Sequence, residues 1–205
     1  GVIRIRTPRN RFLFDVFSEL SVICEKIIVD DRFSLLSEGD QKLLLKIFDV
    51  DIYKTGYFDL SVYAPDWVIT LYDDETPSRQ FIYMKDALCS HEYINIWESE
   101  FLVLWDEEDQ YRDDKLWGCQ EFPVMYRWIP EVDYQYENGH LLPCNQQGPK
   151  EKCGAPILSY RFLTGEQRVK IYKEFVKEKE TLNYVTNLHY ESLLDTQISL
   201  KKLVR

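Results

Sequence analysis

Residues Phe33-Ser-Leu-Leu36-Ser-Glu-Gly-Asp40-Gln41-Lys-Leu-Leu44-Leu45-Lys46 have the form F-x-x-L-x-x-x-D-Q-x-x-L-L-K. The apolar positions recur at helical spacing, so the stretch predicts an amphipathic helix. Ser37 is placed to cap it, and acidic residues fill the first turn, as the helix dipole favours. Periodicity accounts for Phe33, Leu36, Leu44 and Leu45. It does not account for Asp40 and Gln41 standing side by side between them. Working outward, Phe12, Val16, Leu20, Ile23, Ile27 and Ile28 recur at spacings of three and four and predict a helix over 12–30. Leu43, Leu44, Ile47 and Val50 carry the next helix over 40–57.

The chain has 205 residues, 45% apolar and 15% aromatic, enough to bury one sizeable core. Its net charge of −10 excludes a general nucleic-acid binder, which needs a basic footprint. Arg4, Arg6, Arg9 and Arg11 mark residues 1–11 as a basic N-terminal arm. Residues 12–205 are read as a single domain, with a Trp-rich irregular region over 97–158. No apolar run approaches the length of a membrane span. The first residue is Gly and no signal peptide is visible, which fits a trimmed chain. Five cysteines without framework spacing fit a reducing interior, nuclear or cytoplasmic. Cys144 and Cys153 bracket one loop, and their pairing stays open.

Trp67 to Tyr72 is rich in β-formers and stops at the turn cluster Asp73-Asp74-Glu75-Thr76-Pro77. Phe81-Ile-Tyr83 reads as its return strand, and a helix follows over 91–105. Residues 138–156 read as a long loop. Thr164 with Gln167 forms a capping-box pattern before the stripe Val169, Tyr172, Phe175 and Val176. Leu188, Leu193, Leu194, Ile198, Leu200 and Leu203 mark a last helix.

The Phe33–Lys46 run resembles the signature of nuclear receptor ligand-binding domains. Phe17-Ser-Glu-Leu20 and Ile28-Val29-Asp30 resemble the long helix that precedes it. Phe48-Asp49-Val50 and Lys54 keep the register after it, and Trp67–Tyr72 lies where that family has a small β-turn. The resemblance covers residues 17–82. The Lys-bearing stretch usual before the Phe is missing, since Asp31-Arg32 leads straight into Phe33. The resemblance implies a mainly α fold, a helical sandwich with a small β-hairpin; the alternative is α+β with a central antiparallel sheet. It implies a non-catalytic ligand- and coregulator-binding module of a transcription regulator. Ile23, Ile27 and Ile52 would line the ligand pocket. Gln41, Lys46 and, in place of the missing Lys, Lys26 would grip a coregulator helix. A small apolar ligand or a haem could fill such a pocket, no cofactor is required, and partners include a homo- or heterodimer mate.

Two other classes stay open. One is an acidic, Trp-rich interaction module of viral or effector type that binds a host protein. The run Trp97 to Asp109 would serve it, either as an amphipathic helix with a wet end or as a partner site. The other is a metal-dependent enzyme using Asp66, Asp73, Asp74, Glu75 and Lys85, against which stands the plainer reading of a solvated β-turn. Cys119, His140, Cys144 and Cys153 are the zinc candidates, though their spacing lacks the paired C-x2-C pattern. Residues 48–59 hint at a calcium loop, but Leu60 and Val62 stand where a bidentate Glu is needed. The three histidines sit in no nucleophile motif.

Overall fold

The computed structural model describes residues 1–7, 10–55, 58–114, 120–130, 132–137, 140–144, 148–178, 190–195 and 198–203. The elements alternate: β1 (Val2–Arg4), α1 (Leu13–Ile23), β2 (Ile27–Asp30), α2 (Glu38–Ile47), β3 (Val50–Tyr53), β4 (Trp67–Tyr72), β5 (Glu75–Pro77) and α3 (Arg79–Ser90). Then come β6 (Ile96–Trp105), β7 (Glu107–Arg112), β8 (Gln120–Arg127), β9 (Tyr134–Glu137), β10 (His140–Pro143), β11 (Lys150–Lys152), β12 (Ile157–Ser159), α4 (Gly165–Glu178) and β13 (Leu200–Lys202). The class is α/β. This overturns the mainly α expectation and, with it, the helical sandwich. The alternative of a central antiparallel sheet also falls, because the first four strands pair in parallel.

The chain forms two compact units, residues 1–99 with 121–157, and residues 100–120 with 158–205. In the first unit the parallel strands run in the order β3-β2-β1-β4, and β8 adds antiparallel to β4. Residues 1–11, expected as an arm, supply the strand at the middle of this set. All four residues of β2 are buried, as in a parallel strand covered on both faces. That explains the misread helix over 12–30. The helical stripe of α1 (Leu13, Val16, Phe17, Leu20 and Ile23, all buried) ends at Cys24, and a continuous apolar strand follows. A run without polar gaps satisfies any period, so Ile27 and Ile28 seemed to prolong the stripe.

The Phe33–Lys46 run is a loop and one helix, not a helix pair. The Ser37 hydroxyl accepts from the Asp40 amide at 3.1 Å and donates to the Asp40 carboxylate at 2.6 Å. Gln41 Nε2 donates to the Leu36 carbonyl at 2.9 Å. Asp40 and Gln41 therefore stand together because both tie off the start of α2. Among its residues only Leu44 is buried, whereas Leu45 is 57% exposed, so α2 is a surface helix and not a core element. Val50 to Tyr53 leaves the helical pattern and becomes β3.

One core of the first unit joins Val2, Ile28, Val68, Ile96, Tyr126 and Leu142. The strand over 67–72 matches its expectation, but Phe81–Tyr83 lies in α3, capped by Ser78. The helix expected over 91–105 is instead β6, and the loop expected over 138–156 carries β10 and β11. In the second unit, Trp105, Phe162 and Leu193 form a core. Arg168 lies over the Trp105 ring at 4.2 Å, and Arg112, 1% exposed, donates to the Ser192 carbonyl at 2.8 Å. The Thr164–Gln167 capping box closes reciprocally, at 2.9 and 3.2 Å.

Candidate functional site

The four parallel strands end level. Tyr53, Asp30, Arg4 and Tyr72 are in register across β3, β2, β1 and β4. The chain builds outward from β1 to β2 and β3, then returns to place β4 on the other side of β1. That reversal makes a topological switch point between β1 and β4, and in open α/β sheets ligands usually bind there, outside the carboxyl ends of the strands. The residues just past this edge are Arg6 after β1, Asp31 after β2, and Asp73-Asp74-Glu75 after β4.

Asp73 joins the two loops. Its carboxylate accepts from the Arg6 amide at 3.0 Å and the Thr7 amide at 3.3 Å. Its backbone N–H donates to the Arg4 carbonyl, and its own carbonyl accepts from Asn10 at 2.5 Å. Burial, followed by the Asp74 charge, pushes the Asp73 carboxyl up to about 7, against the opposing hydrogen bonds from Arg6 and Asn10.

Arg6 is the cation of the edge. Its Nε donates to Asp74 Oδ1 at 2.9 Å and its Nη2 to Glu75 Oε1 at 3.1 Å. The guanidinium lies 3.6 Å from the Tyr72 ring centre. Burial works against its charge, but the Asp74 and Glu75 carboxylates outweigh it and raise the proton affinity. The Arg6 side chain keeps a fifth of its surface exposed.

Asp31 organises the β2 loop. Its Oδ1 accepts from the Leu35 and Leu36 amides at 2.7 and 3.3 Å, and Ser34 adopts a left-handed backbone at φ 52°. Neighbouring Asp30 is held by Arg32 through Nε and Nη2. Asp31 Oδ2 and Asp74 Oδ2 are buried carboxylate oxygens without a hydrogen-bond partner among the described residues. Leaving such a group unmatched costs about 1–3 kcal/mol, more when it is charged. Asp31 is 0% and Asp74 2% exposed.

The acidic turn is thus not the solvated β-turn that composition suggests. Nor does it gather all the acids and the lysine that the sequence suggests for a metal site. Asp66 precedes β4 and lies a strand length from Asp73, and Lys85 sits in α3. Arg6 engages both Asp74 and Glu75, and no cluster of three His, Cys, Asp or Glu able to hold a metal occurs among the described residues.

The other sequence candidates lie elsewhere. Ile23 ends α1, Ile27 is buried in β2, and Ile52 is half-buried in β3. Lys26 pairs with Asp49 at 2.7 Å and Asp51 at 3.2 Å, Gln41 caps α2, and Lys46 is exposed. A cavity of about 430 Å3 opens at the amino ends of the strands, lined by Ile23, Lys26, Tyr63, Trp67, Cys89 and Arg127 among others. It lies at the end of the sheet opposite Arg6 and Asp74. Of the zinc candidates, Cys119 and the His140 side chain fall outside the described residues. Cys144 and Cys153 are free, so they do not pair, and Cys153 Sγ contacts the Ser99 hydroxyl at 2.8 Å. Among the described residues no helix is long and apolar enough to cross a membrane.

Sequence reasoning singled out Asp73, Asp74 and Glu75 for a metal site but missed Arg6 and Asp31 beside them, though a signal existed. Two β-rich runs, Ile27-Ile28-Val29 and Val68-Ile69-Thr70-Leu71-Tyr72, each end in an Asp-Asp pair. Acid pairs that stop buried strands mark strand ends at one edge.

No protein-family model and no curated protein matches the chain. Among solved structures, residues 1–349 of S. aureus TarS, a glycosyltransferase, match at 10% identity and a TM-score of 0.39. The match covers 94% of this chain and 68% of that one. Likeness at that level carries no functional argument. The α/β fold with its parallel strands overturns the receptor resemblance and the transcription-regulating role drawn from it, so Lys26, Gln41 and Lys46 as a coregulator groove, and Ile23, Ile27 and Ile52 as a pocket, lose the resemblance that grouped them.

Proposed function

We propose that the chain binds a nucleotide-linked sugar at the carboxyl edge of β1, β2 and β4 and transfers the glycosyl group. One observation carries the reading. Two buried carboxylates with unmatched oxygens, Asp31 and Asp74, follow the strands on either side of β1, and Arg6 follows β1 itself. Carboxylate oxygens accept; what they match is a hydroxyl donor. Two strand spacings set the acids about 10 Å apart. A ligand with hydroxyls at both ends and an anionic linker between them fits that pattern. A nucleotide sugar is such a ligand: ribose hydroxyls toward Asp31, diphosphate toward Arg6, sugar hydroxyls toward Asp74.

The chemistry follows from the same charges. In transfer, the bond from the anomeric carbon to the diphosphate oxygen breaks and its electron pair leaves with the diphosphate. The bond to an acceptor atom forms, and the acceptor proton passes to a base. A guanidinium fixed beside the leaving oxygens stabilises the charge that develops there. Calorimetric titration with nucleoside diphosphates and their sugar conjugates tests the reading. The expected outcome is saturable binding of at least one, weakened about tenfold by Asp31→Asn and by Asp74→Asn, each removing a charge-assisted hydrogen bond. If none binds the wild-type chain, the proposal is wrong.

A further inference from the structure

Nucleotide diphosphates are usually met with a divalent cation held by one or two carboxylates. At this edge the carboxylates that would hold it are already bound by an internal cation. We propose that Arg6 takes the place of that metal ion, so that the edge binds its ligand without a divalent cation and excludes one from Asp74 and Glu75. The geometry supports this from both sides. Arg6 reaches Asp74 through two nitrogens and Glu75 through one, bridging two neighbouring acids as a divalent ion would. Its guanidinium is held in place from below by the Tyr72 ring, and its own backbone N–H is held by Asp73.

Glu75 is fixed in turn, because its second oxygen accepts from the Tyr72 amide at 3.0 Å. Asp74 Oδ1 and both Glu75 oxygens are therefore engaged, and Asp74 Oδ2 alone is left, one oxygen where octahedral coordination calls for more unless these bonds are given up. The remaining Arg6 nitrogen, Nη1, has hydrogens to offer a phosphate. What the charge serves rests on the nucleotide-linked reading; the exclusion of metal does not.

Two titrations test the proposal and separate it from that reading. In the first, Mn2+ is added to the chain and the free-ion resonance is followed. The wild type is expected to bind no more than its Asp74→Asn variant does. Arg6→Gln, which frees the acids but keeps a neutral side chain of similar length, is expected to bind Mn2+ about tenfold more tightly. Adding Asp74→Asn to Arg6→Gln is expected to abolish the gain. Wild-type Mn2+ binding that is lost in Asp74→Asn overturns the proposal, and that comparison stands even if Arg6→Gln fails to fold. In the second, UDP, GDP, CDP and ADP are titrated into the wild type in chelator and in excess Mn2+. Equal binding in both supports the proposal, and binding that needs Mn2+ overturns it. If none of the four binds under either condition, the nucleotide reading falls, while the Mn2+ comparison still decides the role of Arg6.

Discussion

Asp73 is the residue where folding and charge meet most directly. Burial and the adjacent Asp74 push its carboxyl up to about 7, whereas an aspartate in an unfolded chain titrates near about 4. Between those values the folded chain holds a proton that the unfolded chain has released. Stability contributed by that proton is present below the unfolded value and is lost as pH rises through the folded one. Asp73→Asn removes the titration. Its urea midpoint is expected to change less than that of the wild type between about pH 4 and about pH 7. An unchanged slope would locate the proton elsewhere. The same residue shows why the site escaped the sequence reading. Asp73-Asp74-Glu75-Thr76-Pro77 has turn composition, and composition cannot report that Arg6, 67 positions away from Asp73, closes over it. Arg6 in turn was grouped with Arg4, Arg9 and Arg11 as a solvated arm, because a three-residue strand leaves almost no periodic trace.

At the scale of elements, α2 separates the corrected fold from the receptor resemblance. In a helical sandwich Leu44 and Leu45 would both face core. Here Leu44 is 0% and Leu45 57% exposed. Leu44→Ala is therefore expected to cost about 2–5 kcal/mol in denaturant unfolding, and Leu45→Ala within about 0.5 kcal/mol of nothing. Equal losses would restore the two-sided helix. What was legible in the sequence was local: the Ser37 and Thr164 caps, the strand Trp67–Tyr72, and the stripe of α1. What was not legible is how those pieces pair. The Phe33–Lys46 pattern is met by any capped surface helix that follows an apolar loop, and its two unexplained residues, Asp40 and Gln41, turn out to serve the helix start. The strand β2 was hidden because a fully buried strand and a helix end both read as apolar runs. Trp97 to Trp105 misled for the same reason. Eight of the ten β6 residues are apolar or small enough to be packed, and seven are buried, so no alternation showed.

For the first unit as a whole, the strand order β3-β2-β1-β4 determines where function is sought. It turns two loops far apart in sequence, those after β1 and β4, into neighbours, and puts Asp31, Arg6 and Asp74 in a row along one edge. The opposite end of the strands holds a cavity of about 430 Å3, beside Trp67 and Cys89. The buried unmatched carboxylates and the fixed cation favour the carboxyl edge. The proposed nucleotide-linked ligand calls for a cation and hydroxyl acceptors, which the carboxyl edge supplies. The most direct measurement is amide and indole chemical-shift mapping of the isotope-labelled chain during titration with a nucleotide sugar that binds. The account predicts shifts at Arg6, Thr7, Asp31, Asp73 and Asp74, with the Trp67 indole and Cys89 amide unmoved. Shifts confined to Trp67, Cys89 and the other residues of the amino-end cavity would contradict it.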